Sequence, residues 1–185
     1  SLRAHKNSGF FNELEILRGI ERESLRVDQK GCISQKDHPK NLGSSLTSKD
    51  ITTDFAEALV EFITPTFASA EALHDHLNLL HRFLYSEMDK EILWNFSMPC
   101  SFQNEQEIRI AEYGESNSGM LKHIYRKGLR LRYGSIMQCV SGIHYNFSIS
   151  HGSWKTLNEN LNQDFVNERY LLSLIHISEP TRRKR

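Results

Sequence analysis

Two glutamates, Glu21 and Glu23, stand two residues apart in the stretch RGIERESLRV (residues 18–27), between apolar and β-branched neighbours. Side chains alternate across an extended strand, so both carboxylates point to one face, where like charges repel. Arg18, Arg22 and Arg26 occupy even positions of the same stretch and point the other way. Two further acids, Asp54 and Glu61, flank a second apolar segment, and His144 and Asn146 share a face of a third, strand-like stretch. Taken singly, each pair is what an exposed strand or helix surface carries. Taken together, Glu21, Glu61 and His144 each have core-type neighbours: Ile20, Val60 with Phe62, and Ile143. A carboxylate drawn into such surroundings without a partner costs several kcal/mol. A hard divalent cation between the side chains answers that cost. Carboxylate oxygens with one imidazole suit Mg²⁺ or Mn²⁺ better than a thiolate-bound metal.

Other candidate groups carry less. His74, His76 and His81 lie on one amphipathic stretch without a further ligand between them, which predicts a solvated helix surface. The three cysteines, Cys32, Cys100 and Cys139, are scattered and form no CxxC, the pattern of a reducing compartment without structural zinc. Asn-x-Ser occurs at Asn95 and Asn146 in apolar surroundings, as chance matches. No P-loop, GxGxxG or HExxH is present, so a nucleotide would have to be held through cations and scattered side chains.

The elements that must position these residues read as follows. Residues 10–17 resemble the end of an amphipathic helix, 18–27 a strand, and 28–31 a turn. Residues 36–50 are polar and read as a loop. Between 50 and 65, Phe55, Leu59, Val60 and Ile63 have helical spacing, while the Thr/Ile-rich ends and Pro65 favour extended chain; a strand over 58–64 is expected. Leu73, Leu77, Leu80 and Leu84 mark a helix over 69–88 with Ser69 as N-cap. Residues 95–120 read mostly as loop, 120–134 as helix, 138–150 as a strand with Gly142 inside it, and 154–175 as a second amphipathic helix.

The bulk numbers permit one domain: 185 residues, 38% hydrophobic, 25% charged and a formal net charge of zero. That balance argues against a disordered tail and against nucleic-acid binding through bulk charge. No apolar run reaches membrane-spanning length and no signal peptide opens the chain, although it begins with Ser1 rather than Met, so its start is expected to be missing. Residues 172–182, LSLIHISEPTR, resemble the translation of a sequencing adapter. Residues 1–171 are therefore expected to be the natural part and 172–185 a non-native tail, with a natural basic tail as the alternative.

Seven blocks occur in order: RGIERESLRV, HPKNLGSSLT, ITTDFAEALVEFITP, SMPC, YGESNSG, YRKGLRLRYG and SGIHYNFS. Over about residues 10–150 the chain resembles the amino-terminal part of proteobacterial-type glutamate–cysteine ligase, or γ-glutamylcysteine synthetase. The resemblance implies an α+β, glutamine-synthetase-like fold: a curved, mostly antiparallel sheet with flanking helices, here incomplete. It implies ATP-dependent joining of the L-glutamate side-chain carboxylate to the L-cysteine amine, the first step of glutathione biosynthesis, in a monomeric, cytoplasmic enzyme. Nucleic acid and membrane have no part in it.

By the same resemblance Glu21, Glu23, Asp54, Glu61 and His144 are the Mg²⁺ (or Mn²⁺) ligands. Phe55 and Tyr125 help enclose the cysteine, with core packing as the other role for each. Arg126 meets a substrate carboxylate or developing charge, with a surface ion pair as its other role, and Gln138 and Asn146 donate hydrogen bonds in the cleft. Family members are far longer, and their remaining part supplies most nucleotide contacts, so this chain alone is expected to be inactive. A carboxylate–amine ligase with another amine acceptor, or a non-catalytic fragment, are the competing readings.

Overall fold

The computed structural model describes residues 15–150 apart from Gln103, together with residues 152, 153 and 155. The sheet is built on β1 (Ile16–Val27), which begins two residues earlier than its charged core suggests. β2 (Ile51–Thr53), β3 (Leu59–Ile63) and β4 (Ile92–Trp94) give the order β2-β3-β1-β4, and β5 (Ile143–Ile149) also pairs with β1. The β1–β3, β1–β4 and β2–β3 ladders are antiparallel, with Glu23 opposite Glu61, Ser24 opposite Val60, and Leu25 opposite both Leu59 and Trp94.

This register sorts side chains onto two faces. On one, Val60, Phe62, Ile51 and Leu93 pack beneath Leu80, Leu84 and Met88, contributed by α1 (Ala70–Glu87) and the residue after it. Ser69 caps α1, its hydroxyl accepting from the Ala72 amide at 3.2 Å. On the other face, Leu25, Val27 and Leu59 join Phe55, Ala56, Ile108, Ile110 and Cys139, with Leu129 of α2 (Asn117–Tyr133) packed against them. The odd positions of β1 are thus apolar at 25 and 27 and acidic at 21 and 23. One half of this face is core, and the other is available for chemistry.

Several expectations need correction. The helix read over 120–134 starts at Asn117. Ile136–Cys139 is a 3-10 turn rather than strand, so Gly142 precedes β5 instead of interrupting it. β2 and β4, three residues each, were not anticipated as strands. The helix expected over 10–17 ends in the start of β1, and its residues before 15 lie outside those described. So do almost all of the helix expected over 154–175 and the whole 172–185 tail. The histidines of α1 are not uniformly solvated: His74 is exposed, but His81 stacks on Phe62 with ring centroids 4.2 Å apart, and His76 tilts against Phe67.

The described residues fall into two compact units, Arg18–Asn146 and the residues on either side of it. In the second, the Glu15 amide donates to Ser153 Oγ at 2.8 Å and the Ser150 amide to the Glu15 carbonyl at 3.0 Å. The three cysteines are free, Cys32 exposed and the other two buried. No helix among the described residues is long and apolar enough to cross a membrane.

Candidate active site

The acidic half of the second face is assembled from β1, β3, the end of β2 and β5. Glu23 and Glu61 are direct cross-strand partners and both are half-buried. Burial raises the Glu23 carboxyl above its usual range, and the charges of Asp54 and Glu21 add to that, against the opposing pull of the Gly142 amide and His144. Glu61 is pushed up to about 7, first by burial and then by Asp54, Glu23 and Glu21. Four carboxylates therefore feel one another across this surface, with the His144 imidazole beside them.

Glu21, Glu23, Asp54 and His144 each have a side-chain or backbone partner within the chain. Glu21 accepts from Asn146 Nδ2 at 3.1 Å and lies 3.3 Å from His144 Nδ1. Glu23 Oε2 accepts the Gly142 amide at 2.8 Å. Among the described residues no three of these side chains stand together in coordinating positions. The even-numbered arginines of β1 indeed serve other partners. Arg22 contacts His81 Nε2 and Asn95 Oδ1, each at 3.0 Å, and fully buried Arg26 bonds Glu91 at 3.1 Å. His144 is more exposed than its apolar neighbours suggest, at 59% of its side chain, and Ile143 is exposed as well.

Asp54 is bound to Arg126. The guanidinium lies 3.7 Å from Asp54 Oδ1, its Nε donates to the Asp54 carbonyl, and Nη1 donates to the Lys122 carbonyl at 3.1 Å. Beneath it lies the Tyr113 ring, 4.7 Å from the guanidinium carbon, and the Tyr113 hydroxyl donates to the Thr53 carbonyl at 2.7 Å, with the Asp54 carbonyl at 2.9 Å. Close approach makes this possible: a Cβ on Gly119 would come within 2.5 Å of the Tyr113 carbonyl oxygen, so only glycine lets the first turn of α2 sit against the 113–114 backbone. Sequence reasoning missed Tyr113. Its only signal was membership of the YGESNSG block.

The remaining expected site residues divide. Phe55 is 1% exposed and packed in the core, so its ring does not line a cleft; the turn after β2 carries Asp54 outward and Phe55 inward. Tyr125 is 61% exposed on α2, and Gln138 is half-buried in the 3-10 turn before β5. Asn146 reaches the acidic cluster through Glu21.

Solved structures share this sheet-and-helix arrangement. The glutamate–cysteine ligase of Francisella tularensis, crystallised in complex with AMP, matches with a TM-score of 0.78 and 44% identity over 82% of this chain and 30% of that one. A bifunctional glutathione synthetase from Pasteurella multocida matches with a TM-score of 0.74 and 31% identity, covering 85% of this chain and 20% of the other. The fold is the α+β, open antiparallel fold of these two enzymes. The family model for glutamate–cysteine ligase matches residues 1–178, and the glutamate–cysteine ligase of Pseudomonas putida (strain W619) is 49% identical over 162 residues. The chain belongs to the glutamate–cysteine ligase family. It spans 85% of its own length in that alignment but 31% of the relative's.

Proposed function

We propose that residues 1–171 are the amino-terminal part of an ATP-dependent glutamate–cysteine ligase, with 172–185 as a tail foreign to it. The observation that supports this most is the gathering of Glu21, Glu23 and Glu61 on one face of β1 and β3, Glu23 directly opposite Glu61 and Glu21 3.3 Å from His144 Nδ1. In the reaction, the γ-carboxylate of L-glutamate takes the γ-phosphoryl group of ATP and releases ADP; the L-cysteine amine then attacks the acyl carbon and displaces phosphate. The enzyme so read is cytoplasmic and monomeric, with small-molecule substrates only.

The donor types suit a hard divalent cation, although among the described residues no three of them stand together in coordinating positions. They are four carboxylates and one imidazole, two of the carboxyls being half-buried and raised by burial and mutual repulsion, so positive charge is what the cluster lacks. Glu21, Glu23, Asp54, Glu61 and His144 would hold Mg²⁺ or Mn²⁺. Bound there, the cation would neutralise triphosphate charge and orient the transfer. Asn146 and the Gly142 amide orient the Glu21 and Glu23 carboxylates. Arg126, fixed over Tyr113, offers a planar fork to a substrate carboxylate or to developing charge. Tyr125, exposed one residue earlier, is the aromatic that remains to meet the cysteine sulfur.

The test is ADP release from ATP and L-glutamate with a panel of amines, by a full-length ligase whose matching segment is replaced by residues 1–150. L-Cysteine should outpace every other amine, and the 185-residue chain alone should release no ADP. Another amine faster by orders of magnitude would move the reading to a related carboxylate–amine ligase.

A further inference from the structure

We infer that Gly142 is a positioning residue of the ligase reaction: its bare Cα is the seat that lets the His144 imidazole lie against Glu21 beside Glu23. The inference rests on the ligase reading given above and adds a residue to its site.

Backbone conformation does not explain this glycine. Among the described residues the glycines with positive φ are Gly31, Gly43, Gly114 and Gly134, so Gly142 has a backbone that alanine can adopt. What a side chain would meet does explain it. A Cβ at this position would stand 3.2 Å from His144 Nε2 and 3.5 Å from its Cδ2, the first closer than such atoms ordinarily pack. Glu23 Oε2 lies 3.6 Å from the same point, an ordinary contact.

The seat is anchored. The Gly142 amide donates to Glu23 Oε2 at 2.8 Å, and the Glu23 amide donates back to the Gly142 carbonyl at 3.0 Å. One residue earlier, the Ser141 amide donates to the Ser97 carbonyl at 2.9 Å. The backbone therefore yields to an added methyl only by stretching these bonds. The ring yields more easily, because the His144 side chain is 59% exposed. Its other nitrogen, Nδ1, lies 3.3 Å from Glu21 Oε2, and Asn146 Nδ2 donates to Glu21 Oε1 at 3.1 Å. The imidazole thus reaches from Gly142 to Glu21. A side chain on residue 142 shifts the ring and leaves both carboxylates where strand β1 and these bonds hold them.

Folding should be indifferent to the substitution and the site sensitive to it. In the 185-residue chain, Gly142→Ala should keep the parent's urea midpoint and the amide resonances of Glu23 and Ser141. The nuclear Overhauser contact between the Hα of residue 142 and the His144 ring should weaken in Gly142→Ala and vanish in Gly142→Val. In a full-length ligase carrying residues 1–150, Gly142→Ala should lower kcat/KM for ADP release roughly three- to tenfold, the scale of a sub-ångström misplacement, and Gly142→Val should lower it further.

An unchanged ring contact in Gly142→Val would overturn the seat. Parental activity in both variants would overturn the positioning role while leaving the ligase reading standing. A loss of activity that comes with a lowered urea midpoint and shifted Glu23 and Ser141 amides would assign Gly142 to the fold, which also overturns it. No ADP release by the ligase carrying the parental segment would remove the ligase reading and the positioning role with it, even with the ring contact present.

Discussion

At the scale of single residues, Glu61 carries a consequence for pH. Its carboxyl ordinarily titrates near 4.5 and is pushed up to about 7 here, by burial first and by Asp54, Glu23 and Glu21 after it. Between those values the folded chain holds a proton that the unfolded chain has lost, so stability falls as pH rises. The contribution is fully present below about 4.5 and is gone above about 7. Glu61→Gln should flatten this segment of the profile and raise stability at neutral pH by about 1–2 kcal/mol, after discounting for solvent at a half-buried carboxyl. Urea midpoints between acid and neutral pH, in chelator, check it; a parallel profile for parent and variant would refute it. The shared face of Glu21 and Glu23 was legible in the sequence, because strand parity alone dictates it. The fate of Phe55 was not. Alternation says that Asp54 and Phe55 point oppositely, but only the packing of the 55–58 turn against Ile108 and Ile110 decides which of them is inside.

At the scale of elements, the sequence revealed those whose signal is long. α1 has a cap, a leucine stripe and a clear end, and β1 and β3 combine apolar runs with β-branched residues. β2 and β4 are too short to show a period, and pairing with neighbours rather than propensity makes them strands. The start of α2 was displaced because Asn117, Ser118 and Gly119 read as loop; Ser116 turns them into a first turn by accepting the Gly119 amide at 3.2 Å. Two glycines of α2 then have opposite requirements. Gly119→Ala drives a methyl to 2.5 Å from the Tyr113 carbonyl oxygen and 2.8 Å from that of Gly114, both backbone atoms that cannot swing aside. It should destabilise by about 1–3 kcal/mol. Gly128 has open space around its Cβ position in the middle of the helix. Gly128→Ala should stabilise by about 0.5–1 kcal/mol. Denaturant midpoints of the two variants must move in opposite directions.

At the scale of the whole molecule, the chain leaves much apolar surface open. Leu121, Ile124 and Leu131 on α2 are 70, 56 and 89% exposed, although the helix also packs Leu129 inward. What holds the segments around the site is a buried polar network. Arg26, with no exposed surface, bonds Glu91 and the carbonyls of Lys36 and Glu57, while the Glu57 carboxylate accepts the amides of His38 and Glu112. Strand β1 is thereby fastened to four otherwise separate segments, including the one leading into Tyr113. Parity placed Arg26 away from the acids, but nothing local in the sequence announced Glu91 as its partner, 65 residues on. Burial lowers the Arg26 guanidinium below its ordinary range even with Glu91 opposing the shift, so this pair is costly to break. Arg26→Met leaves the buried Glu91 carboxylate unpaired and should cost about 3–5 kcal/mol. Glu91→Leu leaves the guanidinium with only carbonyl partners and should be similarly harmful. The double variant removes both charges together and should recover a substantial part of the loss, because well-packed apolar groups can replace a buried ion pair at little net cost. Urea unfolding of the three variants gives the cycle: additive losses would mean that Arg26 acts through its carbonyl bonds and not through Glu91.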